Sequence, residues 1–300
     1  MPAMGNSVNA PFEWFPEELS VWRPPEKLTI SQWSEKYRVL TEPAEEKGPL
    51  RLVRTPYLRP IMDAFLDPEV ETIVLCKSAQ IAGTEGMLSV VGYFAHQEAC
   101  PIMVVLADED TAKYISRERL QKMFRASPDL GCLIVEETFG LNEIALGNGA
   151  YVAMAWASSV AKLASRPIRV LILDEVDKPG YYVSSREASP ISLGIERTET
   201  YWNKKIGIVS TPTDELGNIC KHLASCDVVF DWHVPCPHCG QFQPLVWNLQ
   251  YAWGFENGKY RAVDGTMHSL GQVVWEGGRH ATEEQIERAG YQCGECGAVW

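Results

Sequence analysis

The chain has no run approaching the roughly 20 consecutive apolar residues that a membrane-spanning helix needs. Met1 to Pro16 has neither the basic nor the apolar region of a secretory signal. A cytosolic protein is therefore the expectation, and the nine cysteines are read as reduced or metal-bound, not as disulfides. Positive charge is also short: 27 Lys and Arg against 39 Asp and Glu leave a net charge of −12. That excludes a protein that coats nucleic acid by bulk electrostatics, although a local basic groove or a few DNA-touching loops stay open. Internal repeats and low-complexity tracts are absent, which excludes a repeat array or a linker-like chain. What is present is ordinary globular material, 46% hydrophobic and 22% charged over 300 residues. This suffices for one large α/β domain, or for a domain with a small module.

Residues 1–56 are rich in Pro, Trp and Glu and read as an extended arm with one short helix, Ser31 to Tyr37, capped by Ser31. Pro56 to Leu66 follows as a helix. The punctuation then becomes regular. Glu71 to Cys76 is a short β run, a small-residue loop leads to Gly83, and Thr84 to His96 is helix-like. Pro101 to Leu106 is a second apolar strand, and Asp108 to Phe124 an amphipathic helix. This alternation predicts a mainly parallel sheet with crossover helices. Gly147-Asn148-Gly149 between alternating apolar runs signals a hairpin over Glu143 to Trp156. A helix is expected over Ile191 to Asn203 and a buried strand over Lys205 to Ser210. From Phe230 onward the texture shifts to Trp, Gly, Cys and short strands, so the expected division is 1–56, 57–230 and 231–300.

Two segments carry chemistry. Ile168 to Asp177 reads Ile-Arg-Val-Leu-Ile-Leu-Asp-Glu-Val-Asp, an apolar strand that stops on Asp174 and Glu175. Adjacent acids at a strand's carboxyl end suit a Mg²⁺ ligand followed by a carboxylate that polarises water. Alone, the segment equally fits a solvated acidic turn. Thr72 to Glu85 has the strand, loop and helix layout of a phosphate-binding loop, without the usual spelling of Gly, four residues, Gly-Lys-Ser/Thr. Gly83 stands where the lysine belongs, and Lys77 where the first glycine belongs. The physics survives the exchange. The amides of Ser78, Ala79, Gln80 and Ala82 and the helix start still offer donors to phosphate, Lys77 can fold back over the same phosphates, and the Thr84 hydroxyl can ligate Mg²⁺. Loop and acid-tipped strand together make the two halves of one Mg-nucleotide site. The expected fold is then a P-loop NTPase of the ASCE/RecA-like kind, with an extra strand between them. Ser210-Thr211-Pro212-Thr213 ends a further strand, where small hydroxyls can bond a phosphate-bound water or form an ordinary turn.

Cys236-Pro-His-Cys239-Gly and Cys293-Gly-Glu-Cys296-Gly are two C-x₂-C knuckles, each followed by glycine. Such pairs supply the four thiolates of a tetrahedral Zn²⁺ site, here across a long insertion, with a redox pair or unrelated buried cysteines as the other readings. His238 reads as a neighbour and not a ligand. Cys76, Cys100, Cys132, Cys220 and Cys226 lack such spacing and read as core.

The set Lys77-Ser-Ala-Gln-Ile-Ala-Gly-Thr-Glu85, Ser165-Arg-Pro through Asp177, Glu196-Arg-Thr-Glu-Thr200, Ser210-Thr-Pro-Thr213 and the first knuckle resembles the lambda-type large terminase subunits of tailed phages, over most of residues 30–300. The resemblance implies an ATP-driven motor of the host cytoplasm that packages double-stranded DNA into a procapsid, working with a small terminase subunit and a portal, and oligomeric when assembled. It implies Lys77 as the phosphate lysine, Gly83 and Thr84 as loop and Mg²⁺ positions, Asp174 as metal ligand and Glu175 as catalytic carboxylate. Ser210, Thr211 and Pro212 would link hydrolysis to DNA movement, and Tyr57 would stack on adenine. An arginine should complete the site, Arg166 first and Arg119 second, from this chain or a neighbour. Terminases of this type also carry a nuclease domain. Trp300 comes before one could begin, so ATPase chemistry and not DNA cleavage is expected of these residues. The competing expectations are a helicase-like translocase and a non-catalytic zinc-ribbon scaffold with a decayed loop. Asp177 gains no role here and is read as a turn residue.

Overall fold

The apolar runs are apolar on both faces because they build the middle of a sheet covered on both sides. The computed structural model describes residues 15, 26–163, 166–182, 188–249, 257–261 and 265–300. Its central sheet contains β1 (Thr72–Cys76), β2 (Pro101–Leu106), β3 (Ile134–Phe139), β4 (Glu143–Leu146), β5 (Tyr151–Trp156), β6 (Val170–Asp174) and β7 (Lys205–Ser210). The spatial order is β1-β7-β6-β2-β5-β4-β3. From β1 through β5 neighbours run parallel. The β4 and β3 edge is antiparallel.

Side chains alternate between two buried clusters with the period of a strand. Ile102, Val104, Val152, Met154, Val170 and Ile172 pack on one face with Trp33, Leu88, Val91 and Phe94. Met103, Val105, Ala153, Ala155, Leu171 and Leu173 pack on the other with Ile191 and Ile219. Every residue of β6 and β7 is buried. The helix Gly83–Gln97 is apolar nearly all round, with Met87 through Ala95 buried, so it forms a wall of the core and not a surface element. The result is a mainly parallel α/β sheet whose β1, β6 and β7 all end at the same edge.

Several local expectations shift. The first helix runs Ile30–Tyr37 and its cap is Thr29, with a capping box to Gln32. Ser31 instead gives its amide and its hydroxyl to Asp63, both at 2.7 Å. The helix expected to reach Asn203 stops at Glu196. Beyond it, Thr198-Glu-Thr-Tyr-Trp offers no apolar stripe, and Trp202 is 93% exposed. The helix from Glu109 is interrupted by a π turn over Ser116–Leu120. Strand β3 was not anticipated because Val135 to Thr138, its middle, are exposed at the sheet edge. Of the five cysteines read as core, Cys100 and Cys220 are buried, Cys132 is exposed, and Cys76 and Cys226 are intermediate.

Chain contacts separate a unit ending at Cys226 from one spanning Asp227–Trp300. Among its described residues the second has three two-stranded ladders, His233–Pro235 with Phe242–Pro244, Lys259–Arg261 with Met267–Ser269, and Gln272–Val274 with Gly290–Gln292. Its buried apolar side chains among the described residues are few: Cys236, Pro244, Tyr260, Leu270, Tyr291 and Cys293. So small a core needs a staple. Among the described residues no helix is long and apolar enough to cross a membrane.

Candidate nucleotide and metal sites

Strand β1 ends at Cys76 and the chain turns into its loop at Lys77, whose amide still pairs with the Ser210 carbonyl of β7. Two non-glycine residues of the loop, Gln80 (φ 61°) and Ala82 (φ 57°), are left-handed. Ala82 leads into the helix Gly83–Gln97 without any side-chain cap. Left-handed residues before a helix start turn successive amides toward one concavity, the geometry of an anion nest. Ser78, Ala79 and Gln80 are exposed on this loop. Tyr57 braces it from outside, its hydroxyl donating to the Ile81 carbonyl at 3.1 Å.

Lys77 folds back as its position requires. A Cβ on Gly83 would lie 2.4 Å from Lys77 Cδ and 2.7 Å from Cε, so the glycine is the floor on which the lysine stem rests. The ammonium reaches Glu175 Oε1 at 3.2 Å and Thr211 Oγ1 at 3.4 Å. Beside it, the Thr84 hydroxyl donates to Asp174 Oδ2 at 2.8 Å. Asp174 is 3% exposed. Burial pushes its carboxyl up to about 6, with the Glu175 charge adding and Thr84 and Lys77 opposing. Its other oxygen, Oδ1, is buried without a hydrogen-bond partner. An orphaned buried carboxylate oxygen next to a threonine hydroxyl is a donor set that fits a hard divalent cation. Glu175 itself is left-handed (φ 57°), a strain of about 1–3 kcal/mol for a non-glycine residue of the kind that collects at functional sites. Tyr181, fully buried, pins this strand end by donating to the carbonyls of Val105 at 2.9 Å and Asp174 at 3.2 Å.

The knuckles of the second unit face each other. Sγ of Cys236 and Cys296 are 3.8 Å apart, and those of Cys239 and Cys293 3.9 Å. All four sulfurs lie within 4.8 Å of one another. A disulfide would need about 2.0 Å. Zinc bonds of about 2.3 Å at tetrahedral angles put sulfurs about 3.8 Å apart. The four therefore fit zinc. Each knuckle makes the same turn: Gly240 N–H bonds to Cys236 O at 2.8 Å and Gly297 N–H to Cys293 O at 3.0 Å. Both glycines are left-handed, at φ 76° and 70°. His238 contributes its backbone amide to Cys236 Sγ at 3.4 Å. Sequence reasoning missed the buried Gln243, whose amide donates to Cys293 Sγ and accepts from Gly294 N, both at 3.4 Å.

Residues 44–300 match the family described as phage terminase large subunit gpA, ATPase domain. The chain belongs to the phage terminase large-subunit family. It is 26% identical over 230 residues to the terminase large subunit of Enterobacteria phage P21, and 24% identical over 230 residues to that of Escherichia phage lambda. Each match takes in 74% of this chain and 35% of the relative, so the chain spans about a third of their length. The crystal structure of the HK97 bacteriophage large terminase superimposes with a TM-score of 0.53 at 14% identity, over 65% of this chain and 40% of that one, a likeness of fold.

Within this terminase fold one expected residue lies elsewhere. Arg166 is bonded to Glu143 at 3.1 Å and its guanidinium lies 4.5 Å over the Tyr151 ring. Tyr151 begins β5, paired with Pro101. Asp174 ends β6. Arg166 is thus at the opposite end of the sheet and cannot reach the Lys77 loop from within its own chain. Arg119 is nearer but engaged. It and Arg38 hold the two oxygens of Glu85, the residue after Thr84, at 2.6 and 2.7 Å. Arg38 also reaches Ser89 Oγ at 2.7 Å and the Glu85 carbonyl at 2.9 Å. This bracket ties the terminase chain's N-terminal segment and the π turn to the loop helix. Nothing in its sequence spacing announces it.

Asp177 stands in a turn, as expected, but the turn is a buried one. It is 3% exposed, and its carboxylate accepts from Thr213, Ile219 and Tyr182.

Proposed function

We propose that the chain is the ATP-hydrolysing part of a viral DNA-packaging motor, with the ATPase over 57–230, an arm over 1–56 and a zinc-stabilised module over 231–300. The observation that carries the reading is the pairing at one strand edge of Thr84–Asp174, with its orphaned oxygen, and Lys77–Glu175. In this reading Lys77 and the amides of Ser78, Ala79, Gln80, Ala82 and Gly83 bind the phosphates. Thr84 and Asp174 would hold Mg²⁺, which when bound neutralises charge on the terminal phosphates. Glu175, held against Lys77, takes the proton of the attacking water. Tyr57 lies against the loop where an adenine ring would stack. Ser210, Thr211 and Pro212 connect the site to the β7 edge and pass its state to DNA movement. Cys236, Cys239, Cys293 and Cys296 would hold Zn²⁺ as a staple.

The arginine that completes phosphoryl transfer comes, in this reading, from a neighbouring subunit, since Arg166 is remote and Arg119 is paired with Glu85. That makes the working form an oligomer. Double-stranded DNA, a small subunit and a portal in the host cytoplasm are the partners that the family suggests. The test compares ATP turnover of the wild type, Lys77→Ala and Glu175→Gln, alone and with DNA. Loss of one preorganised donor should cost about 10²–10³ at Lys77, and loss of the base about 10²–10⁴ at Glu175. A wild type that binds no nucleotide under any of these conditions favours the decayed-loop scaffold. Robust turnover by Lys77→Ala removes that lysine from the site.

A further inference from the structure

Asp177 lies two residues beyond Glu175, and its carboxylate is fully engaged. Oδ2 accepts from Thr213 N at 3.0 Å and from Thr213 Oγ1 at 3.2 Å. Oδ1 accepts from Ile219 N at 2.8 Å and from Tyr182 OH at 3.4 Å. Its own amide donates to Ser210 Oγ at 3.1 Å. Asn218 closes the same seam from the other side, donating its side-chain amide to Val176 O at 2.9 Å. The approach is tight: a Cβ on Gly217 would stand 2.2 Å from Asp177 Oδ2, so only glycine lets the chain pass.

A burial this deep is costly for a carboxylate unless several donors converge on it. If capping the helix Asn218–Ala224 were the whole task, the bond to Ile219 would suffice, because Gly217 at its cap has no side chain to offer. The second oxygen goes instead to Thr213, three residues beyond Ser210. The connections close a ring. Lys77 touches both Glu175 and Thr211. Glu175 is joined to Asp177 through the turn, Asp177 to Thr213 through its carboxylate, and Thr213 to Thr211 through Pro212.

We propose that Asp177 is a positioning residue that makes the Glu175 turn and the Ser210–Thr213 loop one rigid body, so that phosphate arriving at Lys77 and Glu175 moves Thr211 and the helix Asn218–Ala224 with it. This rests on the reading of Lys77, Asp174 and Glu175 as an ATP site. Asp177 does not touch the reacting atoms. Its effect is on where Glu175 and Thr211 stand when they do.

Three measurements on the whole chain test this: affinity for a non-hydrolysable ATP analogue, single-turnover hydrolysis, and hydrogen exchange of segment 210–219 with and without the analogue. Asp177→Asn keeps the shape but turns an amide donor toward donors. It should bind the analogue within about threefold of wild type while turnover falls at least tenfold, toward the roughly hundredfold that a 1 Å misplacement costs. The exchange response of 210–219 to the analogue should vanish. Thr213→Val removes one hydroxyl contact, leaves the bond to Ile219, and should show the same split more weakly with an unchanged melting temperature. If Asp177→Asn hydrolyses within twofold of wild type, the positioning role is overturned and the ATPase reading stands. A wild type that binds the analogue without hydrolysing it defeats the ATPase reading alone. The proposal then survives only if 210–219 responds in the wild type and not in Asp177→Asn. Should Thr213→Val be silent and Asp177→Asn lose activity only in step with its folded fraction, the residue is a helix cap and nothing more. A wild type that binds no analogue defeats both.

Discussion

Replacing Glu85 by Gln keeps the side chain's size and removes the charge that two guanidinia share. Glu85 is 20% exposed, Arg38 2% and Arg119 30%. Breaking a buried pair by removing one partner costs about 3–5 kcal/mol, because the other charge is left behind in the interior. Partial exposure of Glu85 and Arg119 lets water recover some of this, which brings the expectation to about 2–3 kcal/mol. At about 2–4 °C per kcal/mol for a unit of this size, the melting temperature should fall by about 4–12 °C. Acid provides an internal control. Burial pushes the Glu85 carboxyl up, but Arg38 and Arg119 outweigh it and hold it below its ordinary 4.5. A carboxylate with a lowered folded value contributes its stability above 4.5 and loses it as pH falls through the folded value. The gap between wild type and Glu85→Gln should therefore be full at pH 7 and narrow only as pH falls below 4.5 through the lowered folded value. Thermal unfolding followed by circular dichroism reads both. A Glu85→Gln melt within about 2 °C of wild type at pH 7 would refute the bracket as a stabilising element.

Gly83→Ala should displace the Lys77 stem and weaken ATP binding at least about tenfold, while Gly147→Ala, remote from the loop, should not; equal effects would remove Gly83 as the lysine's floor. Tyr57→Phe should lose only the neutral bond to Ile81, about fivefold, and Tyr57→Ala should weaken ATP binding by about a further 5- to 150-fold beyond that, the worth of one stacked base. Equal losses in the two would deny stacking. Zinc analysis should find one ion per chain in the wild type and none in Cys236→Ser, and a chelator should unfold Asp227–Trp300 before the first unit; metal-free folded protein would sink the staple. Arg166→Ala should leave single-chain turnover within about twofold. A large loss confined to the assembled form would give Arg166 a role across an interface.

The sheet was legible because its signal is local. Pro101–Leu106 and Lys205–Ser210 are buried strands at the bounds their apolar runs mark, and β4 and β5 pair around Gly147-Asn148-Gly149 as the turn chemistry dictates. That Lys77, Thr84, Asp174 and Glu175 would meet was legible too, since parallel strands feeding crossover helices bring their carboxyl ends to one edge. What failed to show was everything that depends on pairs distant in sequence. Arg38 and Arg119 stand 47 and 34 residues from Glu85. Thr213 and Ile219 stand 36 and 42 residues from Asp177. Neither set has a period or a spacing that one chain can display. Arg166 misled because an arginine shortly before an acid-tipped strand enters at that strand's start, a full strand length from its acids. Strand β3 failed for the opposite reason: an edge strand's exposed residues carry no apolar signature.

The knuckles of the second unit also order its manufacture. Cys236 and Cys296 are 60 residues apart, and Cys239 and Cys293 are 54 apart. At about 5–20 residues per second, a ribosome needs about 3–12 s to make the far knuckle after the near one. Through that interval Cys236 and Cys239 are a dithiol with half a coordination shell, open to oxidation or to a thiol-seeking metal. With so few apolar residues to bury, this unit has little to fold around until the last turn has been made. With zinc as the proposed staple, its maturation would be set by the arrival of Cys293 and Cys296 and by the supply of metal at that moment.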